Sequence, residues 1–241
     1  MFRFMRILVT LIFCILLLYL FPSIVLSEVI VPDMIVLNGK EIMLSAETKG
    51  KLFAKGGEVV EFFVDGKSIG KRLSGGDGFA FKQFIPQKSG LHQITVKSGK
   101  DKGNGLLLSL KRGERMVFID VGGSLFEGLF SKKPKTGSQK IIKKISSRFP
   151  IVFLQTELLS IKAIKAWLKE NGFTDLPVIP WRQGMIFDEI KEKGLKIKAI
   201  IGSQSVIESA KAYNKPKSFS FEEVEDAEEV KDWEEIGKKL K

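Results

Sequence analysis

Cysteine and histidine are almost missing from this chain, which has one of each in 241 residues. A lone cysteine cannot close a disulfide within the chain, so a small cross-linked scaffold is excluded. A structural zinc site of the Cys/His type is excluded by the same count, because such sites need four ligands. Nor can a Ser-His-Asp arrangement be assembled, since His92 sits in LHQITV with no acid beside it in the sequence. Apolar and basic residues are abundant. Hydrophobic residues make up 44 %, enough for a buried core, and 39 Lys and Arg outnumber 28 Asp and Glu. This length admits one large domain or two small ones.

Residues 1–27, MFRFMRILVTLIFCILLLYLFPSIVLS, place Arg3 and Arg6 ahead of a nearly unbroken apolar run from Ile7 to Leu20. A charged n-region followed by an apolar h-region is the pattern of an export signal. Val25 and Ser27 suit the −3 and −1 positions of a cleavage site, so the mature chain is expected to begin near Glu28. The alternative is an uncleaved inner-membrane anchor, because residues 7–26 supply about 20 mostly apolar residues, enough to span a bilayer. Phe13 ahead of Cys14 is too bulky for lipoprotein processing. Both readings make the protein exported, in the periplasm or another extracytoplasmic space.

The charge is unevenly spread. Glu222 to Lys241 holds nine acids and four lysines, which leaves residues 28–221 with 33 basic and 19 acidic side chains, a net of +14. Such a field attracts anionic partners: a phosphorylated or anionic ligand, phospholipid, or a membrane surface. Export makes nucleic acid an unlikely partner despite the basic charge. A plainer reading of the same lysines is solubility.

Two periodicities divide the remainder. From residue 28 to 112 short alternating stretches such as EVVEFFVDGKSIGKRL and GFAFKQFI are separated by Gly, Asp, Asn and Lys, with no helical stripe. Asp65-Gly66 between two such runs signals a hairpin, and further turns fall at Asn38-Gly39, Gly75 to Gly78 and Ser89-Gly90. Strands at this spacing predict a β-sandwich. The stretch VEFFVDGKSIGKRLSGGDGFAFKQFIPQKSGLHQITV resembles the bacterial immunoglobulin-like modules of exported proteins, a resemblance of architecture only.

From residue 114 to 241 apolar strands alternate with helical patterns. MVFID (116–120), IVFL (151–154) and KAII (198–201) read as strands. LLSIKAIKAWLKEN (158–171), with Gly172 as its C-cap, reads as a helix, as do 187–193 and 206–213. This predicts a parallel sheet covered on both faces, with ligands bound outside the carboxyl ends of the strands. Val224, Ala227, Val230, Trp233, Ile236 and Leu240 recur at three- and four-residue steps and predict a closing amphipathic helix.

Phe118-Ile119-Asp120-Val121-Gly122-Gly123-Ser124-Leu125 resembles the first motif of the haloacid-dehalogenase-like (HAD) phosphotransferases, an apolar strand followed by D-x-D-G-T-L. The resemblance implies Asp120 as a nucleophile toward phosphorus, Gly122 and Gly123 in the phosphate-binding turn, and Mg²⁺ held between carboxylates. Ser124 and Leu125 match the T-L pair, whereas Gly122 stands where the second Asp, the proton donor, is expected. Loss of that group removes about 10²- to 10⁴-fold of rate. Thr156 in IVFLQT matches the second motif, a phosphate-binding hydroxyl, and Arg182 and Lys191 both compete for the basic third position. In AIIGSQSVIESAK, Ser203 and Ile207 replace the two acids of the fourth motif. Glu208 does not rescue the second, because one step along a helix turns a side chain by about 100°. Asp120 alone would hold Mg²⁺ weakly. The run PIVFLQTELLSIKAIKAWLKENGFTDLPVIP, the preceding β-module and the short insert after Asp120 are most similar to the phosphatidate-phosphatase-like, lipin-related branch. That insert contains Lys132, Lys133, Lys135 and Lys140, a basic loop that either meets such a ligand or is merely solvated.

The expectation is therefore an exported immunoglobulin-like sandwich followed by a HAD-like α/β domain that binds a phosphorylated or anionic ligand with impaired phosphatase chemistry. One alternative is an active, Mg²⁺-dependent phosphatase that uses Asp120 with water or Glu127 in place of the missing acid. The other is a non-catalytic envelope scaffold, in which side chains plug the strand ends at Asp120 and Thr156.

Overall fold

The computed structural model describes residues 28–50, 53–128, 131, 133–156, 158–213 and 215–240. The apolar segment 1–27 and Lys132 lie outside the described residues. Eight strands come first: β1 (Glu28–Ile30), β2 (Met34–Leu37), β3 (Ile42–Lys49), β4 (Val59–Val64), β5 (Lys67–Leu73), β6 (Phe79–Phe84), β7 (Gly90–Ser98) and β8 (Asp101–Leu110). They form a sandwich of one three-stranded sheet, β1-β3-β6, and one five-stranded sheet, β2-β8-β7-β4-β5. Alternation in β4 shows why: Val60, Phe62 and Val64 are buried while the residues between them face outward. The β4–β5 hairpin closes on Asp65-Gly66, both at positive φ, the two-residue turn whose twist matches the strands. The first strands divide between the sheets, β1 antiparallel to β3 and β2 parallel to β8, so the module is an immunoglobulin-like sandwich.

The chain then enters β9 (Arg115–Asp120) through a four-residue turn. A parallel sheet follows, built with β10 (Ile151–Gln155), β11 (Val178–Pro180), β12 (Lys196–Ile201), β13 (Lys217–Ser220) and β14 (Glu228–Glu229) in the order β11-β10-β9-β12-β13-β14. Numbered within this domain the order is 3-2-1-4-5-6, that of a doubly wound sheet, whose switch point lies at the first strand. The continuous apolar runs of β9 and β10 follow from burial on both faces.

One face carries α1 (Val121–Leu125), α2 (Ser138–Ser146), α3 (Ile161–Glu170) and α6 (Trp233–Lys239), whose Ile142, Ile164, Trp167 and Trp233 pack on Val117, Ile119 and Phe153. The other carries α4 (Met185–Glu192) and α5 (Gln204–Ala210). That second core also takes in Ile35, Leu108 and Leu110 of the sandwich, so the two modules share apolar packing. Two sequence expectations are corrected here. The insert is not all loop, because Ile141, Ile142 and Ile145 bury one side of a helix. The closing helix starts only at Trp233, where Asp232 caps it by accepting from the Glu235 N–H, and the acidic stretch before it contains the short edge strand β14.

Candidate functional site

Register brings three polar residues together at the switch point. Asp120 ends β9 opposite Leu154, so Thr156 lies just past the end of β10, and Ile201 pairs with Ile119, so Ser203 lies just past β12 on the other side. Thr156 Oγ1 donates to Asp120 Oδ1 at 2.5 Å. Ser203 donates twice to Oδ2, from Oγ at 2.7 Å and from its N–H at 3.1 Å. Asp120 is 0 % exposed. Both carboxylate oxygens are thus engaged by neutral donors within the protein.

The glycines serve this closure. A Cβ on Gly123 would lie 2.6 Å from Asp120 Oδ2 and 2.6 Å from the Ser203 nitrogen, and one on Gly202 would lie 2.6 Å from the Asp120 Cβ. Gly123 therefore lets two strand ends close on a carboxylate, where the sequence suggests a phosphate cradle. Ser124 is structural as well: its hydroxyl donates to the Asp120 carbonyl, with the Ile201 carbonyl 3.3 Å away, and its own carbonyl accepts from Trp233 Nε1.

The two basic candidates do not join the cluster. Arg182 follows β11, two strands from Asp120, in a turn where it and Gln183 have positive φ. It lines a cleft of about 250 Å³ against Pro32, Ile161 and Glu189 at the seam between modules. Lys191 lies in the last turn of α4, just before the amino end of β12, with its Nζ 5.5 Å from the Tyr213 ring centre. That is the end of the sheet opposite Asp120. Lys135 stands over Phe221 and Lys140 pairs with Glu234 at 3.0 Å, so both take structural contacts. Glu127 is exposed.

This donor set does not fit Mg²⁺. The ion is commonly held by one or two carboxylates with ligand phosphate and water, whereas Asp120 is buried with no second carboxylate on it and with both oxygens turned to Thr156 and Ser203. Among the described residues no three His, Cys, Asp or Glu side chains come together in a way that could hold a metal ion.

Sequence reasoning missed Asp33. Its carboxylate, buried at the module seam, accepts from the Leu106 N–H at 2.8 Å and the Val178 N–H at 2.8 Å, and pairs with Lys165 Nζ at 2.5 Å. Val178 opens the edge strand β11, so Asp33 caps an edge that would otherwise be unpaired. It also missed the partner of His92, because Asp65 is distant in sequence. His92 Nδ1 lies 2.7 Å from Asp65 Oδ2, and the Gln93 N–H donates to Oδ1. Burial opposes charge on both groups. Their mutual hydrogen bond, with the Gln93 N–H on Asp65 and the Lys88 carbonyl on His92, outweighs it and holds Asp65 below and His92 above their ordinary values.

No family model matches the chain, and no curated protein does. Among solved structures it is similar to the CARDB domain of the PF1109 protein of Pyrococcus furiosus, at 12 % identity and TM-score 0.30, over 36 % of this chain and 94 % of that one. It is similar to the D00-D0 domain of intimin at 16 % identity and TM-score 0.31, over 35 % of this chain and 46 % of that one. An IG27 protein domain matches at 9 % identity and TM-score 0.30, over 37 % of this chain and 99 % of that one. These are likenesses of immunoglobulin-like modules and carry no chemistry; the strand order described above is what defines the sandwich.

Proposed function

We propose that this is an exported, HAD-like protein of the phosphatidate-phosphatase-like kind whose catalytic centre has become structural, leaving a non-catalytic interaction scaffold of the envelope. The observation that carries this reading is the burial of Asp120 behind its bonds to Thr156 and Ser203. A nucleophile must present an oxygen to an approaching phosphorus, and this carboxylate is 0 % exposed, with Oδ1 turned to Thr156 and Oδ2 to Ser203. The proton donor is replaced by Gly122 and the metal-binding acid by Ser203. These substitutions match one another, since removing metal and donor would leave a buried carboxylate unpaired unless new donors replaced them. Anionic partners then meet the basic surface rather than the strand ends.

The test is Mg²⁺-dependent hydrolysis of phosphatidate and of an aryl phosphate by the full chain and by Asp120→Asn. The expected outcome is no phosphate release above the variant's background. Turnover that requires Mg²⁺ and vanishes in Asp120→Asn would make the protein an active phosphatase instead.

A further inference from the structure

The strand registers bring four of the exposed large apolar side chains to one end of the molecule. Glu28 pairs with Lys49, and Glu47 pairs with Phe79, so the start of β1, the end of β3 and the start of β6 lie together. In the second sheet Val59 pairs with Leu73, and Val60 with Ser98, beside the β7–β8 turn. The two sheets meet at the same level, because a Cβ on Gly103 would touch the Val29 carbonyl. Phe53, Val59, Leu73 and Phe79 at this end are all exposed.

The α/β domain adds to the same end. Lys162 Nζ pairs with Glu28 at 2.6 Å, which places the start of α3 beside the start of β1. Leu158 and Leu159, just ahead of α3, and Met185, at the start of α4 on the same carboxyl edge of the sheet, are exposed too. Nothing in the fold requires a fully exposed leucine next to another exposed one.

Two observations identify what covers this end. The first is chain connection: the apolar run of residues 7–26 leads directly into Glu28, so whatever holds that run also holds this end. The second is charge. Lys49, Lys71, Arg72, Lys97, Lys100 and Lys102 are exposed around these apolar side chains, against Asp77, Asp101 and Glu47 nearby, a Glu28 paired with Lys162 and a Glu58 paired with Lys55, with Glu222 and Glu223 exposed farther along the carboxyl edge of the parallel sheet. Apolar side chains ringed by lysine and arginine suit a bilayer whose surface carries anionic headgroups. Among the described residues no helix is long and apolar enough to cross a membrane.

We propose that residues 7–26 remain as an anchor and that this end lies on the bilayer, with Leu158–Leu159 and Phe53 entering the headgroup region. The proposal goes beyond the loss of catalysis, and a phosphatase oriented in this way would leave it intact.

The test uses the full chain reconstituted in vesicles of phosphatidylethanolamine and phosphatidylglycerol. In a Cys14→Ser background, single cysteines at Leu158, Phe53 and, at the opposite end, the exposed Lys67 carry an environment-sensitive fluorophore. Tryptophan emission verifies that each variant folds. Labels at 158 and 53 are expected to shift to the blue and to be quenched by spin-labelled lipid tails, while the label at 67 stays in water. Labels at 158 and 53 that remain in water would overturn the proposal, whether the first 27 residues are still attached or have been removed.

Discussion

Asp33 and Asp120 are both buried and each accepts three hydrogen bonds, yet one is conspicuous in the sequence and the other is not. Asp120 ends an apolar strand before two glycines and looks like a nucleophile; Asp33, in VPDMI, looks like an ordinary turn residue. Their partners reverse the ranking. Asp120 receives three bonds from neutral donors on neighbouring strand ends within one domain. Asp33 receives two backbone N–H groups and a lysine from three separate elements, and so ties β8, β11 and α3 to the β1–β2 junction. A motif thus suggests a role by resemblance, while the bonds a carboxylate makes show what it holds together.

The largest effect is expected at Asp33. Asp33→Ala leaves two backbone donors without an acceptor and Lys165 without its counterion, a loss of about 3 kcal/mol once the partial exposure of that lysine is allowed for. Urea unfolding should also show a broader transition as the sandwich separates from the α/β domain. A loss under about 1 kcal/mol with an unchanged transition would mean that the shared core around Leu108 and Phe118 alone joins the modules.

Asp120→Ala should cost somewhat less, about 2 kcal/mol, because Thr156 and Ser203 carry no net charge and their hydroxyls can turn to other acceptors. Thermal melts with and without Mg²⁺ sharpen the contrast with a catalytic aspartate. The wild-type midpoint should not move with the ion, whereas a metal site would raise it by binding the folded state alone.

Gly123→Ala tests how tightly this closure is built. Its new methyl would meet Asp120 Oδ2 and the Ser203 nitrogen, both at 2.6 Å, and nearby strand ends have little room to retreat. A loss of about 1–2 kcal/mol is expected, as for overpacking elsewhere. A neutral result would show that the strand ends can separate, which would reopen a space for ligand at Asp120.

What was legible in the sequence follows the range of the signal. MVFID, IVFL and KAII announce strands because burial on both faces demands continuous apolar residues, and Asp65-Gly66 announces its hairpin because both positions need positive φ. Short strands at the far side of the sheet are silent: β13 reads KSFS and β14 is two glutamates. Thr156 and Ser203 were identified as positions, yet their bonds to Asp120 were not, because a serine in place of an acid tells of loss and not of what replaced it. Asp33 was invisible because its backbone partners lie 73 and 145 residues away, and a backbone N–H has no sequence signature.

The smallest effect belongs to the pair that joins distant residues at the surface, Asp65 and His92. His92 titrates above its ordinary value of 6.5 in the folded state, so its contribution is complete below about pH 6.5 and is lost as pH rises through the folded value. Asp65 titrates below 3.8, so its contribution is complete above about pH 3.8 and is lost as pH falls through its folded value. Both are therefore present between those limits. Asp65 is 54 % exposed, and solvent screening keeps the pair to about 0.5 kcal/mol. Thermal melts of wild type and His92→Gln should differ most near about pH 5.5 and converge by about pH 9. A gap that stays constant over that range would mean that His92 acts through packing and its bond to the Lys88 carbonyl, not through its charge. Unlike Asp33 and Asp120, this pair would then hold the hairpin by shape alone.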